Sequence, residues 1–140
     1  MRELSMRFDL RLPAEIRICR EADLEQLEWF GAMRGQRSNI RSAFARQCCG
    51  HNWMLVADVQ GFPVGQLWID VCKKPGAALL WAFRILPPFQ RCGIGRALLA
   101  SAEQLIRQLE ISHAEVGSSP GTRARCGYTS ARATAASAAS

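Results

Sequence analysis

The chain begins with hydrophobic patterns that are typical of strands. Residues 15–19 alternate apolar and charged positions, as a strand with one buried face does. Three longer apolar runs follow at residues 52–59, 64–71 and 77–86, with short turns containing glycine and proline between them. These runs predict a meander of three antiparallel strands.

A helical pattern follows the last of these strands. From Ile94 onward, apolar residues recur at spacings of three and four, which predicts a helix over residues 96–109. The apolar stripe consists of Ile94, Leu98, Ala102, Leu105 and Leu109. The chain then returns to a short strand-like run at residues 111–116.

Two shorter helices are predicted in the first third of the chain. One follows Asp23 and has an apolar inner face, made of Leu24, Leu27, Trp29 and Phe30. The other covers residues 40–47. The strands and helices together predict an α/β fold, with Trp53, Trp68 and Trp81 packed in its core because aromatic residues on strands usually serve packing.

The length of 140 residues is that of one domain. No apolar run approaches the ~20 residues that cross a bilayer, so no membrane association is expected. Residues 1–14 mix charges with isolated apolar residues and have no continuous apolar segment, so they are interpreted as a loosely held leader rather than a secretory signal. The sequence predicts a cytoplasmic protein, and it contains no feature that sets an oligomeric state.

The net charge of +6 invites comparison with nucleic-acid-binding proteins. Three of the 18 basic residues lie beyond residue 116, in a stretch without acids, whereas the preceding part carries 15 basic and 12 acidic residues. No basic stripe is interleaved with aromatic residues, so a basic nucleic-acid-binding module is the least favoured function. No nucleic-acid partner is expected.

Six cysteines occur, without other signs of a secreted disulfide scaffold. Cys19 and Cys72 fall in apolar runs and are predicted to be buried. Cys48, Cys49 and His51 form the one cluster of metal-ligand types, but a second pair of ligands at zinc-site spacing is lacking. No metal site is predicted.

A turn rich in glycine joins the third meander strand to the long helix. Pro87 and Pro88 end the strand, and Gly93 and Gly95 stand at the start of the helix. Free N–H groups and the positive end of the helix dipole make such a start an anion site. A third glycine is missing, since Leu98 stands in its place, and no Gly-Lys-Ser/Thr follows, so the turn is neither a dinucleotide fingerprint nor a Walker loop. We expect it to hold a phosphorylated cofactor.

The turn and its flanks resemble the acetyl-CoA motif of the GNAT superfamily of N-acetyltransferases. The six-residue motif is Gln90, Arg91, Cys92, Gly93, Ile94 and Gly95, and Arg96 follows it. The resemblance implies a mixed central sheet flanked by helices, and acetyl-CoA as co-substrate with its pyrophosphate on this turn. It also implies that backbone N–H groups around Ile85 and Leu86 align the thioester, and that the acceptor is a primary amine of a small molecule or peptide.

The residues that transfer protons are not assigned. Asp70, at the end of the second meander strand, is a weak candidate for the general base, and an aspartate capping a turn is the alternative interpretation. The family often uses a tyrosine on its last helix to meet the leaving thiolate. Tyr128 is the sole tyrosine. We do not assign it that role, because it falls near the family's position by accident of the reading frame. A non-catalytic acyl-CoA-binding remnant is the alternative function.

The family pattern breaks at Gly117. Residues 117–140 consist largely of Ala, Ser, Thr, Arg and Gly without periodicity, a composition that buries too little apolar area to fold. Read two bases later, synonymous codons for residues 118–137 can spell PGNEGALRLYERAGYRRE, which contains the Asn, Leu-Tyr and Gly-Tyr that the family places there. We interpret the tail as a frameshift product, with an authentic flexible tail as the alternative. We therefore predict a domain over residues 15–116 with its C-terminal strand and helix missing or disordered, and the altered C-terminus leaves open whether activity is impaired.

Overall fold

The computed structural model describes residues 2–116. The elements are β1 Ala14–Ile18, α1 Asp23–Gln26, α2 Arg37–Cys48, β2 Asn52–Val59, β3 Phe62–Asp70, β4 Ala77–Ile85, α3 Ile94–Gln108 and β5 His113–Val116, with 3₁₀ turns at Arg34–Gln36 and Pro87–Phe89. The five strands form one sheet in the order β1-β2-β3-β4-β5, with the first four antiparallel and β5 parallel to β4. The mixed sheet with flanking helices confirms the predicted α/β architecture, while the expectations for residues 117–140 lie outside the described part of the chain.

Side chains of successive strand residues point to opposite faces of the sheet. Both faces carry apolar side chains, so helices cover both of them. One face packs on α3 through a cluster that includes Leu67, Ile69, Leu80 and Leu98. The other face packs on α1 and α2 through a second cluster that includes Leu27, Ile40, Met54 and Trp68. None of the helices in residues 2–116 is long and apolar enough to span a bilayer.

The long helix is the element that the apolar periodicity predicts best. Ile94, Leu98 and Ala102 are buried as expected, and the stripe continues through Ile106. Leu105 packs on the core only in part, and Leu109 is partly exposed because the helix ends at Gln108.

The predicted helix after Asp23 is a single turn. Leu24, Leu27 and Trp29 are buried as expected, but Phe30 is 90% exposed. Trp29 and Phe30 have φ values of 46° and 58°, a left-handed conformation that ends the helix and turns Phe30 outward. The Trp29 indole N–H donates to the carbonyl oxygen of Pro63 at 2.9 Å, which fixes this turn on the sheet.

Other local expectations are corrected at the ends of elements. The second helix starts at Arg37, three residues before the predicted start. Cys19 is buried as predicted, but Cys72 is exposed because β3 ends at Asp70 and the chain turns before it.

Of the three tryptophans predicted in the core, Trp68 is fully buried, whereas Trp53 and Trp81 are half-buried. Trp68 makes an edge-to-face contact with Trp81, with 4.6 Å between the ring centroids.

The outer half of β4 differs from the inner half. Its register with β3 shifts between Gln66 and Trp68, and Ala82 has a φ of 53°, which marks a bulge. Parallel pairing with β5 runs from Ala77 to Leu80 of β4. Within residues 2–116, therefore, the segment 81–85 has a strand partner on its β3 side alone.

Residues 2–13 precede the sheet without forming a helix or strand. Their large apolar side chains are mostly exposed: Leu4, Met6, Phe8 and Leu10. Leu12 packs in part against the α3 side of the core.

Candidate functional site

The site begins where the chain leaves β4 and enters α3. The 3₁₀ turn at Pro87–Phe89 leads into Gln90, and α3 starts at Ile94 with Gly93 as its N-cap residue. Gly93 has a φ of 87°, which glycine adopts without cost, and a Cβ there would meet no atom of residues 2–116 within 4 Å. The backbone therefore opens to solvent at the start of α3.

The first turn of α3 presents free hydrogen-bond donors. No side chain of the described residues caps the helix, and the bond from the Ala97 N–H to the Gly93 carbonyl oxygen, at 3.1 Å, is its first. The N–H groups of Ile94, Gly95 and Arg96 precede that bond and lie at the positive end of the dipole.

The charges around this turn also favour an anion. Arg91 and Arg96 are exposed, and no acidic residue stands in the first turn of α3. Cys92 is exposed beside them. The turn thus combines free N–H groups with two guanidinium groups, which suits a phosphate.

Gly95 serves the packing of α3 rather than the opening. A Cβ at this position would lie 3.2 Å from Cδ1 of Ile85 and 3.3 Å from Cζ of Phe83. Glycine therefore lets the helix start close against the end of β4. Gln90 ties the same region together, because its Nε2 donates to the carbonyl oxygen of Ile85 at 3.0 Å.

The backbone at the end of β4 offers one edge to a ligand. The Leu86 N–H donates to the carbonyl oxygen of Val64 at 2.8 Å, so it belongs to the β3 side. Since successive N–H groups of a strand point to opposite edges, the Ile85 N–H points away from β3. That edge is the one on which β5 pairs with β4 as far as Leu80. Ile85 and the turn therefore adjoin one another, whereas the Leu86 N–H is already used.

Asp70 lies far from this turn. It pairs in register with Leu79, six residues before Ile85, which corresponds to about 20 Å along an extended strand. Its Oδ1 accepts hydrogen bonds from the N–H groups of Cys72 and Lys73 at 2.9 and 2.8 Å, and Oδ2 forms an ion pair with Arg46 of α2. The structure thus gives this carboxylate a turn-capping role and does not bring it to the end of β4.

Two polar residues near the turn were not expected from the sequence. Gln66 of β3 is fully buried and lies directly opposite Arg84 of β4. The amide nitrogen of Gln66 and Nη1 of Arg84 are both buried, and neither has a hydrogen-bond partner within the described residues. Only the strand register brings them together, so no pattern along the chain could have indicated the pair.

No group of three or more His, Cys, Asp or Glu side chains in residues 2–116 is arranged to hold a metal ion. Tyr128 lies outside the described residues.

A model of the acetyltransferase (GNAT) family matches residues 16–128. No curated protein gives a significant match. Among solved structures, the fold is similar to a PaiA N-acetyltransferase from Thermoplasma acidophilum in complex with coenzyme A, with 18% identity and a TM-score of 0.64 over 74% of this chain and 78% of that one.

Two further solved structures have the same fold. The aminoglycoside N-acetyltransferase AAC(6')-Iy in complex with CoA has 14% identity and a TM-score of 0.64, covering 81% of this chain and 82% of that one. A putative GNAT acetyltransferase from Desulfovibrio desulfuricans has 18% identity and a TM-score of 0.62, covering 79% and 76%.

Proposed function

Because the chain belongs to the acetyltransferase (GNAT) family, we propose that it transfers the acetyl group of acetyl-CoA to a primary amine of a small molecule or peptide. The observation that carries the proposal is the uncapped start of α3, which follows β4 through a turn with two exposed arginines. Two of the similar structures contain coenzyme A, which is consistent with acetyl-CoA as co-substrate.

The proposed cofactor site has two parts. The pyrophosphate contacts the backbone from Gln90 to Gly95, where the N–H groups of Ile94 and Gly95 are free of helical partners, while the guanidinium groups of Arg91 and Arg96 balance its charge. The acyl end lies along the outer edge of β4, where the Ile85 N–H is directed. The Leu86 N–H already donates to the carbonyl oxygen of Val64, so it is not free to contact the thioester.

Acetyl-CoA supplies an acetyl group activated as a thioester. The contribution of the chain is to hold that thioester against β4, where a backbone donor polarises a carbonyl without reorganising. A fixed position also lowers the entropic cost of bringing the amine to it. We assign no general base, because Asp70 is at the other end of the sheet.

The proposal is tested by transfer of a labelled acetyl group. The full chain is mixed with acetyl-CoA carrying ¹³C in its acetyl group and with a panel of primary amines, and free thiol and the acetylated amines are quantified. We expect thiol release that depends on the amine and matches the labelled amide formed. The comparison variant is Gly93→Asp, in which thiol release should fall about 100-fold at acetyl-CoA concentrations below the wild-type Kd.

Two other results are decisive. Tight binding of acetyl-CoA without thiol release for any amine would support the alternative, a non-catalytic acyl-CoA-binding protein. Absence of acetyl-CoA binding would refute both functions.

A further inference from the structure

Gln66 carries a buried hydrogen-bond donor without an acceptor. Its Oε1 accepts from the indole N–H of Trp68 at 2.9 Å, and because an indole nitrogen only donates, this bond identifies the other amide atom as Nε2. That nitrogen has no partner within residues 2–116. Trp68 belongs to the cluster under α1 and α2, so Gln66 lies on that face of the sheet.

Arg84 places a cation beside this amide. Residues directly opposite one another on antiparallel strands have neighbouring side chains on the same face, so the guanidinium also lies on the α1 and α2 side. Its Nη1 is buried and has no acceptor among residues 2–116. Arg84 and Gln66 thus each have a buried donor atom on this face, and the described residues supply neither atom with an acceptor.

Three other arginines of the described chain have a carboxylate partner, which Arg84 lacks. Arg17 contacts Asp23 and Asp58, Arg37 contacts Glu28, and Arg46 contacts Asp70. These three arginines therefore each have a carboxylate, and hydrogen bonds to acidic side chains raise the pKa of Arg17 and of Arg37.

The pKa of Arg84, in contrast, is lowered, and burial is the cause. A nearby carboxylate would act in the opposite direction. Residues 117–140 contain no Asp or Glu, so the tail has no acidic side chain to offer. A buried guanidinium nitrogen without an acceptor is costly, and an anionic ligand would remove that cost.

Arg84 lies next to the edge of β4 that is proposed to hold the thioester. Arg84 immediately precedes Ile85, and their side chains lie on opposite faces of β4: Ile85 faces Gly95 of α3, and Arg84 faces α1 and α2. An anion held at Arg84 is therefore one residue from the edge that is proposed to hold the thioester, on the face away from α3.

We propose that Arg84 and Gln66 form a subsite for a carboxylate of the acceptor, so that the acetylated amine belongs to a molecule that also carries a carboxylate. The guanidinium of Arg84 pairs with the carboxylate, and Nε2 of Gln66 donates a hydrogen bond to the same carboxylate. This inference rests on the proposed acetyl-transfer function and names the class of its acceptor.

The test uses matched pairs of amines that differ only in the acidic group, namely free amino acids and the corresponding amino acid amides. With the full chain, kcat/KM for acetylation should be about 10–100-fold higher for the acid than for the amide, as charge-assisted bidentate contacts allow. In Arg84→Gln the preference should fall to within about threefold, and in Arg84→Lys it should be partly kept. The Kd for acetyl-CoA, from calorimetry, should be unchanged in both variants.

A binding measurement keeps the test independent of turnover. N-acetylated amino acids and their amides are titrated into ¹⁵N-labelled protein, and the side-chain signals of Arg84 and Gln66 are followed. Only the acids should shift them, and Arg84→Gln should abolish the response of Gln66.

Three outcomes would overturn the subsite. The first is equal use of acids and amides together with no selective shift. The second is an acid preference that persists in Arg84→Gln. The third is a loss of acetyl-CoA affinity in Arg84→Gln, which would mean that the anion belongs to the cofactor. Each leaves the proposed function standing if acetyl-CoA binds and acetyl transfer occurs, whereas absence of acetyl-CoA binding refutes the function itself.

Discussion

Replacing Gly93 by aspartate should reduce the affinity for acetyl-CoA at least about 100-fold. A side chain here enters open space, so no clash with the fold is expected. The added carboxylate lies at the free N–H groups of α3, where it repels a phosphate and competes for its donors. Two unit charges about 5 Å apart at an effective dielectric constant of 20 repel by about 3 kcal/mol, which corresponds to about 100-fold in Kd.

Gly93→Asn is the matched control, because it has the same shape and pays the same backbone cost at a φ of 87°. We expect it to lower the affinity by less than about tenfold, since it adds no charge. Calorimetry with acetyl-CoA measures both variants, and thermal melts compare their folding. Equal losses in the two variants would mean that backbone strain, not charge, controls binding; no loss in either would place the phosphate elsewhere. Gly95 is a poorer probe, because a side chain there meets Ile85 and Phe83.

Removing the Asp70 carboxylate should lower the free energy of unfolding by about 3 kcal/mol. Asp70→Ala removes the acceptor of two backbone N–H groups and the partner of Arg46 in a fully buried place. Asp70→Asn is the matched control, since it keeps an oxygen acceptor and loses the charge, and it should lose less. Urea unfolding of the three proteins at pH 7 gives the comparison.

The loss of unfolding free energy in Asp70→Ala should become smaller as the pH falls. Burial alone would raise the pKa of Asp70, but the N–H groups of Cys72 and Lys73, together with Arg46, hold it below its ordinary value. A carboxyl with a lowered folded-state pKa stabilises the fold fully above its unfolded pKa of about 3.9 and loses that effect as the pH falls through the folded-state pKa. The difference between wild type and Asp70→Ala should therefore be constant from pH 7 to about 5 and shrink on further acidification.

A different pattern would restore Asp70 as a catalytic candidate. If Asp70→Ala kept the stability of the wild type at every pH and abolished acetyl transfer, the carboxylate would act in the reaction. The structural role would then be wrong.

The sequence predicted what local periodicity determines. Strand β2 and the turn before α3 follow directly from apolar runs, prolines and glycines, because these residues set backbone conformation within a few positions. Element ends were less predictable. Phe30 fits a helical stripe, yet the left-handed backbone at Trp29 and Phe30 ends that stripe early.

Properties that depend on pairing between strands could not be predicted. Arg84 and Gln66 are 18 positions apart and meet only through the register of β3 and β4, which includes a bulge. The use of the Leu86 N–H by Val64 has the same origin. The remoteness of Asp70 from the turn likewise follows from its pairing with Leu79.

The most direct measurement of the central claim is a map of backbone N–H signals on addition of acetyl-CoA. In ¹⁵N-labelled protein the account predicts the largest chemical-shift changes at residues 91–96, smaller ones at Phe83 and Ile85, and little change at Asp70 and its turn. Saturable binding whose shifts avoid residues 91–96, or no binding at all, would contradict it.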